Sequence, residues 1–179
     1  NFNQKKSSMG PIAILGAGSY GTALAILLHN NTNEVRLWGR SAEQISVMQE
    51  THQNESYLPG VKLPVSLSLY NDLDCCLDGV SDVLVAVPSP QFESVLQKLK
   101  GVMKGDWRLA WVTKGLDQDS NTLLSELASR VFSDSFPVAF LSGPSFAKEV
   151  AQQVLTAVTI TGNNKPWCED LVKRFHSEY

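Results

Sequence analysis

Residues 12–25 read IAILGAGSYGTALA, an apolar run that ends in Gly-x-Gly-x-x-Gly and continues into small and apolar residues. This order predicts a strand, a tight turn and a helix. Gly16 gives the turn its backbone freedom, Gly18 lets a pyrophosphate approach the main chain, and Gly21 lets the helix pack close to the strand. The amides of the first helical turn, at the positive end of the helix dipole, then face the phosphates. The stretch therefore predicts the start of a dinucleotide-binding fold.

Composition excludes several classes of protein. The chain has 179 residues, of which 43% are hydrophobic and 18% charged, and its net charge is −3. These values are typical of a globular domain and indicate no basic surface for nucleic acid. The apolar runs are too short to cross a bilayer, and the one that follows Lys5 and Lys6 is too brief for a secretory signal. We therefore expect a cytoplasmic protein with no nucleic-acid partner and no membrane span.

The cysteines and histidines form no metal-binding or disulfide pattern. Cys75 and Cys76 are adjacent, Cys168 is far away, and no second cysteine pair lies at metal-ligand spacing. An odd number of cysteines without such spacing favours free thiols. The three histidines are scattered without a partner motif. We therefore predict no metal site.

The rest of the chain alternates apolar runs with amphipathic stretches. We predict strands at residues 35–38, 65–70, 82–87, 108–113, 138–141 and 156–161. We predict helices at residues 20–30, 41–53, 91–100, 122–132, 144–152 and 165–175, and a short helix that begins at residue 72. Residues 57–60 break the pattern and are predicted to be a loop. This alternation is typical of the α/β class, with a doubly wound, mostly parallel, Rossmann-like sheet covered by helices on both faces.

One domain accounts for most of the sequence. Residues 1–10 are interpreted as an N-terminal extension and residues 11–179 as a single dinucleotide-binding domain, since no repeat, low-complexity tract or linker divides them. Residues 173–179 end the chain without a cap or a polar tail. We therefore expect this sequence to be a fragment of a longer protein.

Ligands of such sheets lie beyond the carboxyl ends of the strands, where three features stand out. Arg40 follows the second strand, where an NAD-preferring protein usually has Asp or Glu. Its guanidinium suits a 2′-phosphate, although it could also stack on adenine or simply be solvated. Lys114 follows another strand and could meet a substrate phosphate, a polarised carbonyl or only solvent. The turn at residues 142–147 could bind an anion or be an ordinary helix cap.

Six motifs occur in a fixed order along the chain. They are GAGSYGTALA at residues 16–25, LWGR at 37–40, YLP at 57–59, VPS at 87–89, VTKGL at 112–116 and LSGPSFAKE at 141–149. Together they closely resemble the bacterial-type NAD(P)-dependent glycerol-3-phosphate dehydrogenases over nearly the whole chain from Gly10 onward. The last two motifs are the most specific.

The resemblance implies a cofactor, NADPH or NADH, and a substrate, dihydroxyacetone phosphate, which is reduced to sn-glycerol 3-phosphate for phospholipid synthesis. The implied cofactor-binding residues include the three glycines of the turn. The full set is Gly16, Gly18, Ser19, Tyr20, Gly21, Arg40, Tyr57, Lys114 and Ala147. The implied substrate-binding residues are Lys114, Gly143 and Ser145. A homodimer is left open.

In this family the proton comes from a lysine in a second, helical domain, and these 179 residues contain no counterpart of it. We therefore expect no catalytic general acid in this chain, which should bind NADPH without appreciable turnover. Two alternatives are a related dehydrogenase that acts on a 3-hydroxy acid or a 2-ketoacid, and a non-catalytic NADPH-sensing module. A methyltransferase is disfavoured, because Arg40 stands where a carboxylate would be needed for the ribose hydroxyls.

Overall fold

The computed structural model describes residues 9–31, 33–112, 118–142 and 158–176. Its strands are β1 (Ile12–Leu15), β2 (Val35–Trp38), β3 (Gln53–Asn54), β4 (Leu58–Lys62), β5 (Ser68–Tyr70), β6 (Asp82–Val85), β7 (Arg108–Val112), β8 (Val138–Ser142) and β9 (Thr159–Gly162). Its helices are α1 (Ser19–Asn30), α2 (Ala42–Thr51), α3 (Leu73–Leu77), α4 (Ser89–Val102), α5 (Gln118–Val131) and α6 (Lys165–Phe175).

Seven of these strands form one sheet in the order β5-β2-β1-β6-β7-β8-β9. Every neighbouring pair is parallel except β8 and β9, which are antiparallel. The predicted α/β class and mostly parallel sheet are therefore confirmed. None of the described helices is long and apolar enough to cross a bilayer.

Strand β1 is an interior strand of the sheet and is buried on both faces, which explains its continuous apolar sequence. Ile12 and Ile14 pack into one core layer with side chains of α1, α2 and α6. Ala13 and Leu15 point to the opposite layer, formed with α3, α4 and α5. Alternate residues of one strand thus enter different cores, as the two-residue period of a strand requires. The sheet is doubly wound in this physical sense.

Aromatic packing stabilises the second layer. The Trp111 ring stacks on Phe140 at a centroid distance of 5.9 Å and meets Phe92 edge-on at 5.5 Å. Its indole nitrogen donates to the Asn121 side-chain oxygen over 3.2 Å. A fully buried tryptophan thus keeps a hydrogen-bond partner for its N–H group.

Several predicted elements were wrong in detail. The helix predicted over residues 41–53 ends at Thr51, because His52 adopts a left-handed conformation and Gln53 begins β3. Residues 57–60, predicted to be a loop, lie largely within β4, which pairs antiparallel with β3. Leu58 and Val61 are buried in the first core layer, and this packing favours a strand although proline and glycine separate them. The strand predicted from residue 65 begins only at Ser68, since Val65 is 80% exposed and lies in a turn.

Candidate functional site

The carboxyl ends of β1, β2, β6 and β7 lie at one edge of the sheet, because these strands are parallel. The chain passes from β1 to β2 on one side, and β6 later joins the other side of β1. Main-chain hydrogen bonds continue just past the strands, from the Ala86 amide to the Leu15 carbonyl (2.8 Å) and from the Gly16 amide to the Trp38 carbonyl (2.9 Å). This reversal of strand order opens a crevice of the kind that binds ligands in open α/β sheets.

The three glycines of the turn at this crevice differ in their surroundings. Gly16 has a φ of +121°, and a Cβ there would lie 2.5 Å from the Ala86 carbonyl oxygen. A Cβ on Gly21 would lie 1.7 Å from the Gly16 carbonyl oxygen, so only glycine lets α1 approach the turn this closely. Around Gly18, in contrast, a Cβ would meet nothing within 4 Å. The protein therefore leaves open space at the glycine where a pyrophosphate would need it.

The beginning of α1 can receive an anion. Gly18 is its N-cap residue, no described side chain caps the helix there, and the first turn has no acidic residue. The Ser19 hydroxyl donates to the Tyr57 carbonyl over 2.5 Å, so two residues predicted to bind the cofactor lie together. Burial raises the pKa of Tyr20, which therefore stays neutral at physiological pH. The amides of the first turn and the helix dipole therefore favour an anion at this position.

The Ala17 carbonyl, inside the glycine turn, accepts hydrogen bonds from two side chains. Gln44 Nε2 on α2 donates to it over 2.7 Å, and Asn54 Nδ2 on β3 donates over 3.0 Å. Asn54 Nδ2 also donates to the hydroxyl of Thr22 on α1 over 2.9 Å. Elements distant in sequence thus hold the turn from one side.

Arg40 follows β2 on a rigid main chain. The Gly39 amide donates to the Tyr70 carbonyl over 3.0 Å, and the Asn71 side chain donates to the Gly39 carbonyl over 2.9 Å. The Trp38 indole in turn donates to the Asn71 carbonyl over 2.8 Å. Arg40 itself is exposed, and its guanidinium forms no hydrogen bond or ion pair with the described residues. It is therefore available to an anionic ligand.

A groove of about 420 Å³ lies between α2 and the segment that follows it. Ser41, directly after Arg40, forms one end, and Tyr57, which is 51% exposed, forms another part of the wall. Its other lining residues are Glu43, Gln44, Val47, Met48, Thr51, Gln53, Asn54, Glu55 and Ser56. The groove combines polar groups, two carboxylates among them, with the apolar surface of Val47 and Met48.

Comparison with known proteins identifies the family. Residues 11–168 match the family model described as the NAD-dependent glycerol-3-phosphate dehydrogenase N-terminus. The chain belongs to this family. It is 38% identical over 172 residues to glycerol-3-phosphate dehydrogenase (NAD(P)+) of Glaesserella parasuis, covering 96% of this chain and 51% of the relative. Identity to the enzyme of the same name from Shewanella halifaxensis is 43% over 166 residues, or 93% of this chain and 49% of that one.

A solved structure of the family has the same architecture. The crystal structure of glycerol-3-phosphate dehydrogenase from Coxiella burnetii superposes with a TM-score of 0.86 at 41% identity, covering 94% of this chain and 51% of that chain. The chain therefore spans about half the length of the glycerol-3-phosphate dehydrogenases it matches, and the shared half is the N-terminal one.

Four residues predicted to belong to the site, Lys114, Gly143, Ser145 and Ala147, lie outside the described residues. They follow β7 and β8 in the sequence, and those strands end at the same edge as β1 and β2. The contacts of Asn54 and Gln44 with the glycine turn were not predicted from the sequence. Asn54 sits in the polar run HQNES at residues 52–56, where no local periodicity marks a buried side chain.

Proposed function

We propose that this chain is the cofactor-binding half of an enzyme that transfers a hydride from NAD(P)H to dihydroxyacetone phosphate and so makes sn-glycerol 3-phosphate for phospholipid synthesis. The observation that carries the proposal is the turn between β1 and α1. The backbone of this turn requires glycine at Gly16 and Gly21, and it leaves open space at Gly18. The turn lies at the end of β1, where the strand order reverses between β2 on one side and β6 on the other. Membership of the glycerol-3-phosphate dehydrogenase family supports the choice of substrate.

The cofactor would lie across the carboxyl edge of the sheet. The pyrophosphate would meet the amides at Gly18 and Ser19, and the adenosine would extend towards Arg40 and Tyr57. Arg40 is exposed and unpaired among the described residues, so its positive charge favours the 2′-phosphate of NADPH over the free hydroxyl of NADH.

The substrate would bind near the ends of β7 and β8. Lys114 would contact both the cofactor and the substrate, Gly143 and Ser145 would hold the glycerol phosphate, and Ala147 would lie near the cofactor. This assignment rests on the family resemblance and on the sequence positions, which directly follow two neighbouring parallel strands. A cation there suits a substrate that carries a phosphate.

Reduction of the carbonyl needs a hydride donor, a positive group near the carbonyl oxygen and a proton donor. A bound nicotinamide supplies the hydride. The Lys114 ammonium stabilises the negative charge that develops on the carbonyl oxygen, an effect that is strongest where water is excluded. The general acid belongs to a helical domain outside these 179 residues, so this chain alone binds NADPH and does not turn over appreciably.

A direct test measures NADPH oxidation by the full-length protein with dihydroxyacetone phosphate, followed at the nicotinamide absorbance. We expect turnover with this substrate and little with 2-ketoacids, while the product should be sn-glycerol 3-phosphate. Turnover restricted to a 2-ketoacid or a 3-hydroxy acid would indicate a related dehydrogenase. Tight NADPH binding without turnover of any of these substrates would indicate a sensing module.

A further inference from the structure

Asn54 is a buried polar side chain. It is 2% exposed, and β3 places it beneath the start of α1. Its amide nitrogen donates to the Ala17 carbonyl (3.0 Å) and to the Thr22 hydroxyl (2.9 Å), while its amide oxygen accepts from Gln44 Nε2 over 3.3 Å. A buried amide satisfied on both ends is a rigid connector, because breaking any one bond leaves a desolvated polar group.

The group that Asn54 holds is the central carbonyl of the glycine turn. Ala17 lies between Gly16 and Gly18, and its carbonyl receives hydrogen bonds from Asn54 and Gln44 together. A trans peptide is planar, with its carbonyl and N–H pointing in opposite directions. Fixing the Ala17 carbonyl therefore also fixes the direction of the Gly18 N–H, which points away from the two amide side chains.

The same segment contacts the turn a second time. The Tyr57 amide donates to the Asn54 carbonyl over 3.2 Å, which closes a tight turn between these residues. The Tyr57 carbonyl then accepts from the Ser19 hydroxyl at the first residue of α1. The segment from residue 54 to residue 57 thus attaches to both sides of Gly18, and α2 supports it through Gln44.

We propose that Asn54 is a positioning residue for the dinucleotide pyrophosphate, which acts by holding the Ala17–Gly18 peptide with its N–H directed at the phosphates. The proposal rests on the proposed function, since it requires a dinucleotide at the turn. Asn54 touches no ligand in this scheme. Its contribution is preorganisation, so that the turn does not have to be ordered when the cofactor binds.

A positioning role and a purely structural role predict losses of affinity for different ligands. Loss of the Asn54 donor should weaken a ligand that carries the pyrophosphate and spare one that binds only at the Arg40 end. NADPH and adenosine 2′-phosphate form such a pair, because both have adenine and the 2′-phosphate and only NADPH has the pyrophosphate. A general loss of packing would weaken both.

The test uses calorimetry with both ligands on the full-length protein and on two variants. Asn54→Asp keeps the size of the side chain but replaces the donor to Ala17 with an acceptor. Gln49→Ala is the matched control, since Gln49 on α2 also donates to a main-chain carbonyl, that of Leu69, away from the turn (3.2 Å). We expect Asn54→Asp to weaken NADPH by about tenfold or more and adenosine 2′-phosphate by less than about threefold. Gln49→Ala should change neither affinity appreciably.

Equal losses for both ligands, or unchanged NADPH affinity in folded Asn54→Asp, would overturn the proposal and leave the proposed function intact. Should Asn54→Asp fail to fold, Gln44→Leu removes the other donor to the Ala17 carbonyl from a half-buried position on α2. We expect it to weaken NADPH by roughly threefold to tenfold with the same selectivity, and equal effects on the two ligands would again overturn the proposal. Wild-type protein that binds no NADPH would overturn the proposed function and this proposal together.

Discussion

Arg174 on α6 and Asp82 on β6 form a buried ion pair, with Arg174 Nη2 2.8 Å from Asp82 Oδ2, although 92 residues separate them in sequence. The other carboxylate oxygen accepts from Arg108 Nε over 2.9 Å. The Arg174 side chain is fully buried, and it also donates to the Asn33 side chain and to the carbonyl of Gly10. One carboxylate therefore connects three elements at the amino edge of the sheet, opposite the crevice.

Removing this carboxylate should destabilise the protein strongly. Asp82→Ala leaves the guanidinium of Arg174 buried without its counter-ion, so we expect a loss of about 3–5 kcal/mol in the free energy of unfolding. Urea unfolding followed by circular dichroism measures it. The control is Lys165→Ala, which breaks the exposed Lys165–Glu169 pair (3.8 Å) and should cost less than about 0.5 kcal/mol. Similar small losses in both variants would show that the buried pair contributes little.

Gly21 and Gly18 should respond differently to a side chain. In Gly21→Ala the new Cβ overlaps the Gly16 carbonyl oxygen, so α1 must move, and we expect a loss of about 1–3 kcal/mol despite the better helix propensity of alanine. Gly18→Val meets open space in an extended backbone, so stability should change little. NADPH binding by Gly18→Val should nevertheless fall below detection, because the side chain would occupy the position proposed for the pyrophosphate. Thermal melting and calorimetry on each variant test both statements, and tight binding by folded Gly18→Val would contradict this placement.

Arg40 should discriminate between the two cofactors. A charge-assisted bond to a phosphate is worth about 1.5–3 kcal/mol, so Arg40→Ala should weaken NADPH by roughly tenfold to a hundredfold and NADH far less. Calorimetry with both cofactors measures the difference. Lys100→Ala is the control, because this exposed lysine lies in the last turn of α4, at the opposite edge of the sheet. Equal losses of NADPH and NADH in Arg40→Ala would favour stacking on adenine over a 2′-phosphate contact.

Lys114 and Ser145 should affect turnover to different extents. If Lys114 has the proposed role, Lys114→Met removes a positive charge beside the reacting carbonyl, and we expect kcat/KM of the full-length protein for dihydroxyacetone phosphate to fall by about a hundredfold or more. Ser145→Ala removes one neutral hydrogen bond worth about 0.5–1.5 kcal/mol, which corresponds to a fall of roughly twofold to tenfold. Steady-state kinetics compares them. Near-normal turnover by Lys114→Met would contradict the proposed role and indicate that this lysine is only a solvated residue after a strand.

Cys75 should react slowly for an exposed thiol. The carboxylate of Asp72 is the largest cause that raises the pKa of Cys75, and Asp74 and Asp78 add to it. Since the thiolate is the reactive form, Asp72→Asn should lower this pKa and speed alkylation by iodoacetamide at neutral pH. Asparagine also serves as an N-cap, so α3 should persist. Asp74→Asn, which removes a weaker contribution, should speed the reaction less, as measured by mass spectrometry of the Cys75 peptide. Equal rates in all three proteins would contradict this electrostatic account.

The neighbouring Cys76 gives an internal reference in the same experiment. It is fully buried, and burial raises its pKa to about 12. At neutral pH its thiol therefore stays protonated, and both its protonation and its burial protect it. We expect no labelling of Cys76 in any folded variant, whereas labelling at this position would report unfolding.

The sequence by itself determined the fold class and the start of the site. The apolar residues 12–15 followed by glycines specify a strand and a turn through local backbone requirements, since Gly16 must adopt a positive φ and Gly21 must lack a Cβ. Arg40 was proposed as a site residue because it lies two residues after the end of an apolar strand. These signals lie within a few residues of each other, so they can be recognised without knowledge of distant contacts.

Only the tertiary structure decided the supports of that site. Asn54 lies in a polar run and becomes buried because β3 and β4 pack against α1, which places its amide beside a carbonyl 37 residues earlier in the chain. Arg174 resembles any basic residue at the end of a helix until α6 packs on one face of the sheet and brings this side chain to Asp82. Burial and hydrogen bonding depend on which elements pack together in the folded protein, and local sequence patterns do not specify these long-range contacts.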